Sequence, residues 1–236
     1  MCDYCDKKIL CETLKALSDE KYRSFNSCIC KGSRFEMLGV RIPELRKIAK
    51  SIIRSDADAF LSSVKPEYYE EVMIKGLVLA GQRKASSEKL VGIESFLSEI
   101  DNWAVCDTFC AELKPKANEL GEVLDFIKKH IYSANEFEIR VAVVLLLDYF
   151  ISEEYIDETL KLLSRVDCGF YYTSMAVAWA YSVCYVRFTD KTYKQLKKNT
   201  PDKATLDRTV QKIVDSYRVS ETDKDSAREL KKLVKE

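Results

Sequence analysis

The chain has 236 residues, enough to bury a substantial core in one large domain or along a continuous array of repeats. With 47% hydrophobic and 32% charged residues but only 7 Gly and 4 Pro, it lacks the turn-dense composition of a β-sandwich or barrel, so helices are favoured. The 38 basic and 38 acidic residues cancel, which argues against a uniformly basic nucleic-acid binder.

At the start, Met1-Cys2-Asp3-Tyr4-Cys5-Asp6-Lys7-Lys8 has no apolar stretch behind its basic residues, and the longest strictly apolar run, Val141 to Leu147, is far too short for a bilayer. Neither export nor membrane insertion is expected. The 9 cysteines are an odd number in a long chain, and Cys106, Cys110, Cys168 and Cys184 fall in apolar helical patterns. Buried free thiols in a reducing cytoplasm are expected rather than a disulfide framework. Cys2-x-x-Cys5 with Cys28-x-Cys30 hints at a four-thiolate zinc site, but the second pair has the wrong spacing, so no metal is expected.

Apolar residues recur at helical spacing from Leu45, Ile48, Ala49 and Ile52 onward, and no segment alternates as a strand. Pro43 sits just inside a helix start with Glu44 in the first turn, and Ser86 or Ser87 before Glu88 reads as another amino-terminal cap. Five similar helices open near Tyr68, Trp103, Glu136, Tyr171 and Ala204, at intervals of about 35, 33, 35 and 33 residues. Four of them carry an aromatic at or beside the first turn: Tyr68 and Tyr69, Trp103, Phe137, and Tyr171 and Tyr172. More polar helices near 87–99, 117–131, 154–164 and 190–199 alternate with them. This spacing predicts an all-α chain, an α-solenoid of tandem antiparallel helix pairs, because one amphipathic pair cannot cover its own apolar face and must stack on the next. One repeat domain over residues 1–236 is expected, capped by helices in 1–35 and 190–236.

Three of the five similar helices carry unusual residues. Trp103 and Asp107 are four apart and share one helix face; Arg140 lies in Glu136-Phe137-Glu138-Ile139-Arg140; Trp179, the second of two tryptophans, follows Met175-Ala176-Val177-Ala178. Successive inner helices are expected to bring these residues alongside on a concave face. Taken singly, Asp107 reads as a helix-start carboxylate, the tryptophans as core aromatics, and Arg140 as a partner for Glu136 one turn earlier.

With Gly39-Val40-Arg41-Ile42-Pro43-Glu44-Leu45-Arg46, Asp101-Asn102-Trp103-Ala104-Val105-Cys106-Asp107, the Arg140 helix and Ala176-Val177-Ala178-Trp179, the sequence resembles the DNA alkylation repair glycosylases of the AlkD-like family over roughly residues 35–215. The resemblance implies a superhelix of HEAT-like or ARM-like repeats acting on double-stranded DNA that carries alkylated bases. It implies Asp107 as the catalytic carboxylate, Trp103, Trp179 and Arg140 lining the DNA cleft, and hydrolysis of the N-glycosidic bond of cationic N3- or N7-alkylpurines without metal or cofactor. The duplex would lie along the concave face without a flipped-base pocket. Arg41 and Arg46 are candidates for holding phosphates, with a structural role for their loop and helix equally open. The location implied is cytoplasmic, nucleoid-associated when bound to DNA.

From Arg187 to the end there are 14 Lys or Arg against 9 Asp or Glu, so the chain's modest basic excess lies at that end. His130 is the sole histidine and no glycine-rich phosphate loop occurs, which excludes two-histidine mechanisms and nucleotide hydrolysis by such a loop. The alternative to a glycosylase is an inactive helical-repeat module that grips DNA or a protein partner, since a neutral chain neutralises few phosphates.

Overall fold

The computed structural model describes residues 3–233, and among them 14 α-helices and no β-strand are found. Two compact units divide the chain, Met1–Val123 and Leu124–Glu236.

In the first unit the helices are α1 (Lys7–Ala16), α2 (Glu20–Ile29), α3 (Ile42–Ser55), α4 (Ala57–Ser63), α5 (Tyr69–Gly81), α6 (Ser86–Phe96) and α7 (Trp103–Leu113), followed by the start of α8 (Leu120–His130). Helix α5 packs on α3 and on α7, with α4 and α6 as shorter neighbours. Its composition explains that central place: from Tyr69 to Ala80 every residue but Lys75 is buried, so α5 is apolar nearly all round and needs cover on every side. Helix α3 instead buries Leu45, Ile48, Ala49 and Ile52, a single stripe at 3-1-3 spacing.

In the second unit α9 (Glu136–Tyr149), α11 (Tyr171–Arg187) and α13 (Lys203–Val214) pack in series, with α10 (Ile156–Leu163) and α12 (Thr189–Lys198) against α11 and α14 (Glu221–Leu230) against α13. Residues Ile139 through Leu146 of α9 are all buried, whereas α12 buries only Thr192 and Leu196, one turn apart. Each unit is therefore a stack of helix pairs with an apolar layer and a more polar one, the α-solenoid arrangement expected of the period. The five principal helices begin at Tyr69, Trp103, Glu136, Tyr171 and Lys203, within one residue of the positions read from the sequence.

Two local expectations are corrected. Ser86 and Ser87 do not cap α6: the N-cap is Ala85, and the buried Ser86 hydroxyl is drawn instead to Glu119 Oε2 at 2.9 Å. Cys168 is not in a helix but half-buried in the α10–α11 turn, where Asp167 Oδ1 accepts from Gly169 N at 3.0 Å and holds a non-helical backbone. One isolated bridge, Glu36 to Tyr68, lies outside any strand. Among the described residues, no helix is long and apolar enough to cross a membrane.

The loop before α3 is fixed by a buried carboxylate. Glu70 on α5 is fully buried and accepts from three successive backbone N–H groups, Leu38 (3.0 Å), Gly39 (2.7 Å) and Val40 (3.1 Å). Gly39 sits at φ +91°, and a Cβ there would lie 2.6 Å from the Asp19 carbonyl and 2.7 Å from Arg23 Cβ. Gly39→Ala should therefore destabilise the fold by at least about 1–3 kcal/mol, read as a lower urea midpoint at unchanged slope; a midpoint equal to the parent's would show that the loop has room to shift.

Candidate functional site

Helix α7 begins where three separate contacts hold the chain. Asn102, its N-cap, accepts from Val105 N through Oδ1 at 3.0 Å and donates from Nδ2 to Asp101 Oδ1 at 2.9 Å. Asp101 in turn accepts from Ser33 Oγ (3.1 Å) and from Arg34 N (2.7 Å), tying the loop after α2 to this helix start. Trp103 Nε1 then donates to the Ile29 carbonyl at 3.0 Å, the last residue of α2. That bond occupies an orphan carbonyl at a helix C-terminus and fixes the plane of the indole. Trp103 and Asp107 are both half-buried, on a stripe with Ala104 and Thr108, while Val105, Cys106, Phe109 and Cys110 turn into the core. The carboxylate and the indole therefore lie one turn apart on the solvent side of one helix.

In the second unit, Arg140 on α9 is only 5% exposed, and its Nη1 donates to the Tyr172 carbonyl at 2.8 Å. Glu136, one turn earlier on the same helix, accepts from Tyr172 N at 2.5 Å. The two side chains thus hold both polar atoms of Tyr172's backbone in the first turn of α11. The Tyr172 ring lies 5.5 Å from the Phe137 ring and 5.2 Å from that of Tyr171. Trp179 is half-buried on α11 and lies on a stripe with Tyr172, Met175, Val183 and Val186, all half-buried. Neither indole is sealed in the core.

The two amino-terminal arginines have acidic partners. Arg41, the N-cap of α3, donates from Nη2 to Asp19 Oδ2 at 2.8 Å and lies 4.8 Å from the Tyr22 ring centre. Arg46 pairs with Glu112 on α7, which also accepts from Lys114 Nζ at 3.1 Å. Burial alone would raise the Glu112 carboxyl, but the hydrogen bonds from Lys114 and Arg46 outweigh it and hold the group below its ordinary range. Trp103 and Asp107 are thus brought together on α7; Arg41 and Arg46 hold other parts of the unit.

The sequence reading named Asp101 and Tyr172 only within motifs and missed Glu70, and the contacts of all three escaped it. The Asp101-Asn102 pair before an apolar run is a legible cap signal. Its grip on Ser33 and Arg34 is not, because nothing local in either segment marks a partner so far along the chain. Of the four thiols considered for zinc, Cys2 lies outside the described residues, Cys28 is exposed and Cys30 is buried, with desolvation pushing its thiol up to about 11. A metal needs the thiolate, so Cys30 is poorly suited as a ligand.

Stacked helix pairs, with a half-buried indole beside a carboxylate on a firmly held helix of the first unit and another half-buried indole in the second, define a helical-repeat protein. The chain belongs to the DNA alkylation repair enzyme family: that family's model matches residues 10–167, two-thirds of the chain. Its role accordingly lies in DNA repair. The matched span includes Trp103, Asp107 and Arg140 and ends before Trp179. No curated protein matches the chain.

The thiols give a check on burial. Desolvation raises Cys30 and Cys168 to about 11 and Cys184 to about 12. At pH 8 the thiolate fraction of such groups is roughly a hundredfold or more below that of an unshifted thiol. Iodoacetamide followed by mass spectrometry should therefore label the exposed Cys28 well before these three; labelling of Cys184 at a comparable rate would contradict its burial.

Proposed function

We propose that the protein is an alkyl-base DNA glycosylase that hydrolyses the N-glycosidic bond of cationic N3- or N7-alkylpurines in duplex DNA, with Asp107 as the catalytic carboxylate. The reading rests on one observation above all: an indole pinned by its own N–H, one helical turn from a half-exposed carboxylate, in a chain of the DNA alkylation repair family.

An alkylated purine already carries positive charge and leaves as a neutral base when it takes the bonding pair of its glycosidic bond. Acid catalysis at the base is then of little use, and the barrier lies in positive charge developing on the deoxyribose. Asp107 stabilises that charge electrostatically and orients the water, whose oxygen bonds to C1′ as the base departs and whose proton passes to the carboxylate and on to solvent. The Trp103 face adds attraction for the cationic sugar. A ring held by the Ile29 carbonyl loses little further freedom on meeting substrate. Trp179 offers DNA a second indole from the Tyr172 stripe. Arg140 is a positioning residue that sets the first turn of α11, and Arg41 and Arg46 position α3.

A second reading, a module that binds without excising, draws on the same arginines. Their guanidinium groups are engaged with Asp19, Glu112 and the Tyr172 carbonyl, so these three arginines serve the scaffold, as they would in a module without catalytic machinery. Incubation with duplex containing 7-methylguanine, read as free base and alkali-labile sites, separates the readings. The parent should release base, and Asp107→Asn should lower the rate at least about a hundredfold with an unchanged thermal midpoint, since the residue is half-exposed. Undiminished release by Asp107→Asn sinks the mechanism. No release with retained duplex supports the binding module, and neither release nor retention points to a protein partner.

A further inference from the structure

The turn between α10 and α11 and the turn between α12 and α13 border a cleft of about 670 Å³ in the second unit. That volume suits a small-molecule ligand, for which pockets run to roughly 300–1,000 Å³. Leu163, Val166 and the Tyr181 ring contribute apolar wall, and Phe170 and Tyr171, 42% and 58% exposed, form an aromatic rim.

Two features of this cleft are unexplained by packing. Tyr181 is fully buried on α11, and its hydroxyl has no hydrogen-bond partner. A buried hydroxyl left unsatisfied is destabilising, so phenylalanine would serve packing alone better. Arg208 on α13 is held from one side only: Nη1 meets Ser174 Oγ at 2.5 Å, Ser174 Oγ lies 2.6 Å from Thr205 Oγ1, and the guanidinium sits 5.1 Å from the Tyr171 ring centre. Among the described residues it has no carboxylate partner, so a fixed, half-buried cation keeps most of its N–H fork unused. The first turns of α11 and α13 both border the cleft; the α11 N-cap, Phe170, supplies no side-chain acceptor, so that helix end adds positive potential, whereas the α13 end is capped by the Asp202 carboxylate. At the mouth, Asp167 and Asp202 each use Oδ1 on a local backbone N–H, Gly169 and Thr205, both at 3.0 Å. Their other oxygens remain as acceptors.

We propose that this cleft binds a small planar aromatic bearing N–H donors and one acidic group. Arg208 takes the acid in its fork, Phe170 stacks on the ring, Asp167 or Asp202 accepts its N–H, and Tyr181 Oη completes its own hydrogen bonding on a polar atom of the ligand. A nucleoside monophosphate and an amino-aromatic carboxylate share this chemistry. None of Trp103, Asp107, Arg140 and Trp179 lines the cleft, so the proposal stands or falls apart from base excision.

Calorimetric titration of the full chain with deoxyguanosine 5′-monophosphate and, separately, with 2-aminobenzoate tests it. One probe should bind saturably at one per chain, and which one binds names the source of the acid. Arg208→Gln should weaken that binding about tenfold or more. Tyr181→Phe should weaken it severalfold while melting at the parent's temperature or above, because the lost hydroxyl had no protein partner. Absence of saturable binding by both probes, parent-like affinity in Arg208→Gln, or a lowered melting temperature in Tyr181→Phe would each overturn the proposal.

Discussion

Helices α5, α9 and α11 are apolar around almost their whole circumference, and this single constraint governs the rest of the molecule. Such a helix cannot lie at a surface; it requires neighbours on both flanks and a cover. Within the first unit α3 and α7 flank α5, and within the second α9 and α13 flank α11. The more polar helices then become the cover. Trp103 and Asp107 on α7 and Trp179 on α11 remain half-buried on faces that this packing does not fully cover.

Main-chain atoms, more than side-chain pairs, hold the residues of interest. Trp103 is fastened to a carbonyl at the end of α2, Tyr172 is gripped through its own N–H and C=O, and the loop carrying Arg41 hangs from the Glu70 carboxylate by three N–H bonds. Bonds of this kind satisfy groups that would otherwise be orphaned at helix ends and in a buried loop, so one contact both stabilises the fold and orients the working surface. Preorganisation is thereby obtained from the architecture itself.

The helix order and starts were legible because the signal is local: an aromatic near the first turn followed by a long apolar stretch marks Tyr69, Trp103, Glu136 and Tyr171 equally well. The shared face of Trp103 and Asp107 follows from their spacing alone. Ser86 was misread because its hydroxyl answers to Glu119 rather than to its own helix, and Cys168 because an Asx turn interrupts an apolar pattern. What remained hidden was the engagement of the arginines. Arg41, Arg46 and Arg140 look alike as candidate phosphate ligands, yet Asp19, Glu112 and the Tyr172 carbonyl lie 22, 66 and 32 positions away and carry no mark of the pairing.

The grip on Tyr172 separates two properties that usually travel together. Glu136 and Arg140 each bond a peptide atom at that position, and every residue except proline supplies both atoms. That backbone grip is therefore indifferent to which side chain stands at 172, while the Tyr172 ring adds its own contact with Phe137 across the junction of α9 and α11. A substitution at 172 would thus alter what the α11 stripe presents to solvent and the ring contact with α9, and leave the two backbone bonds available.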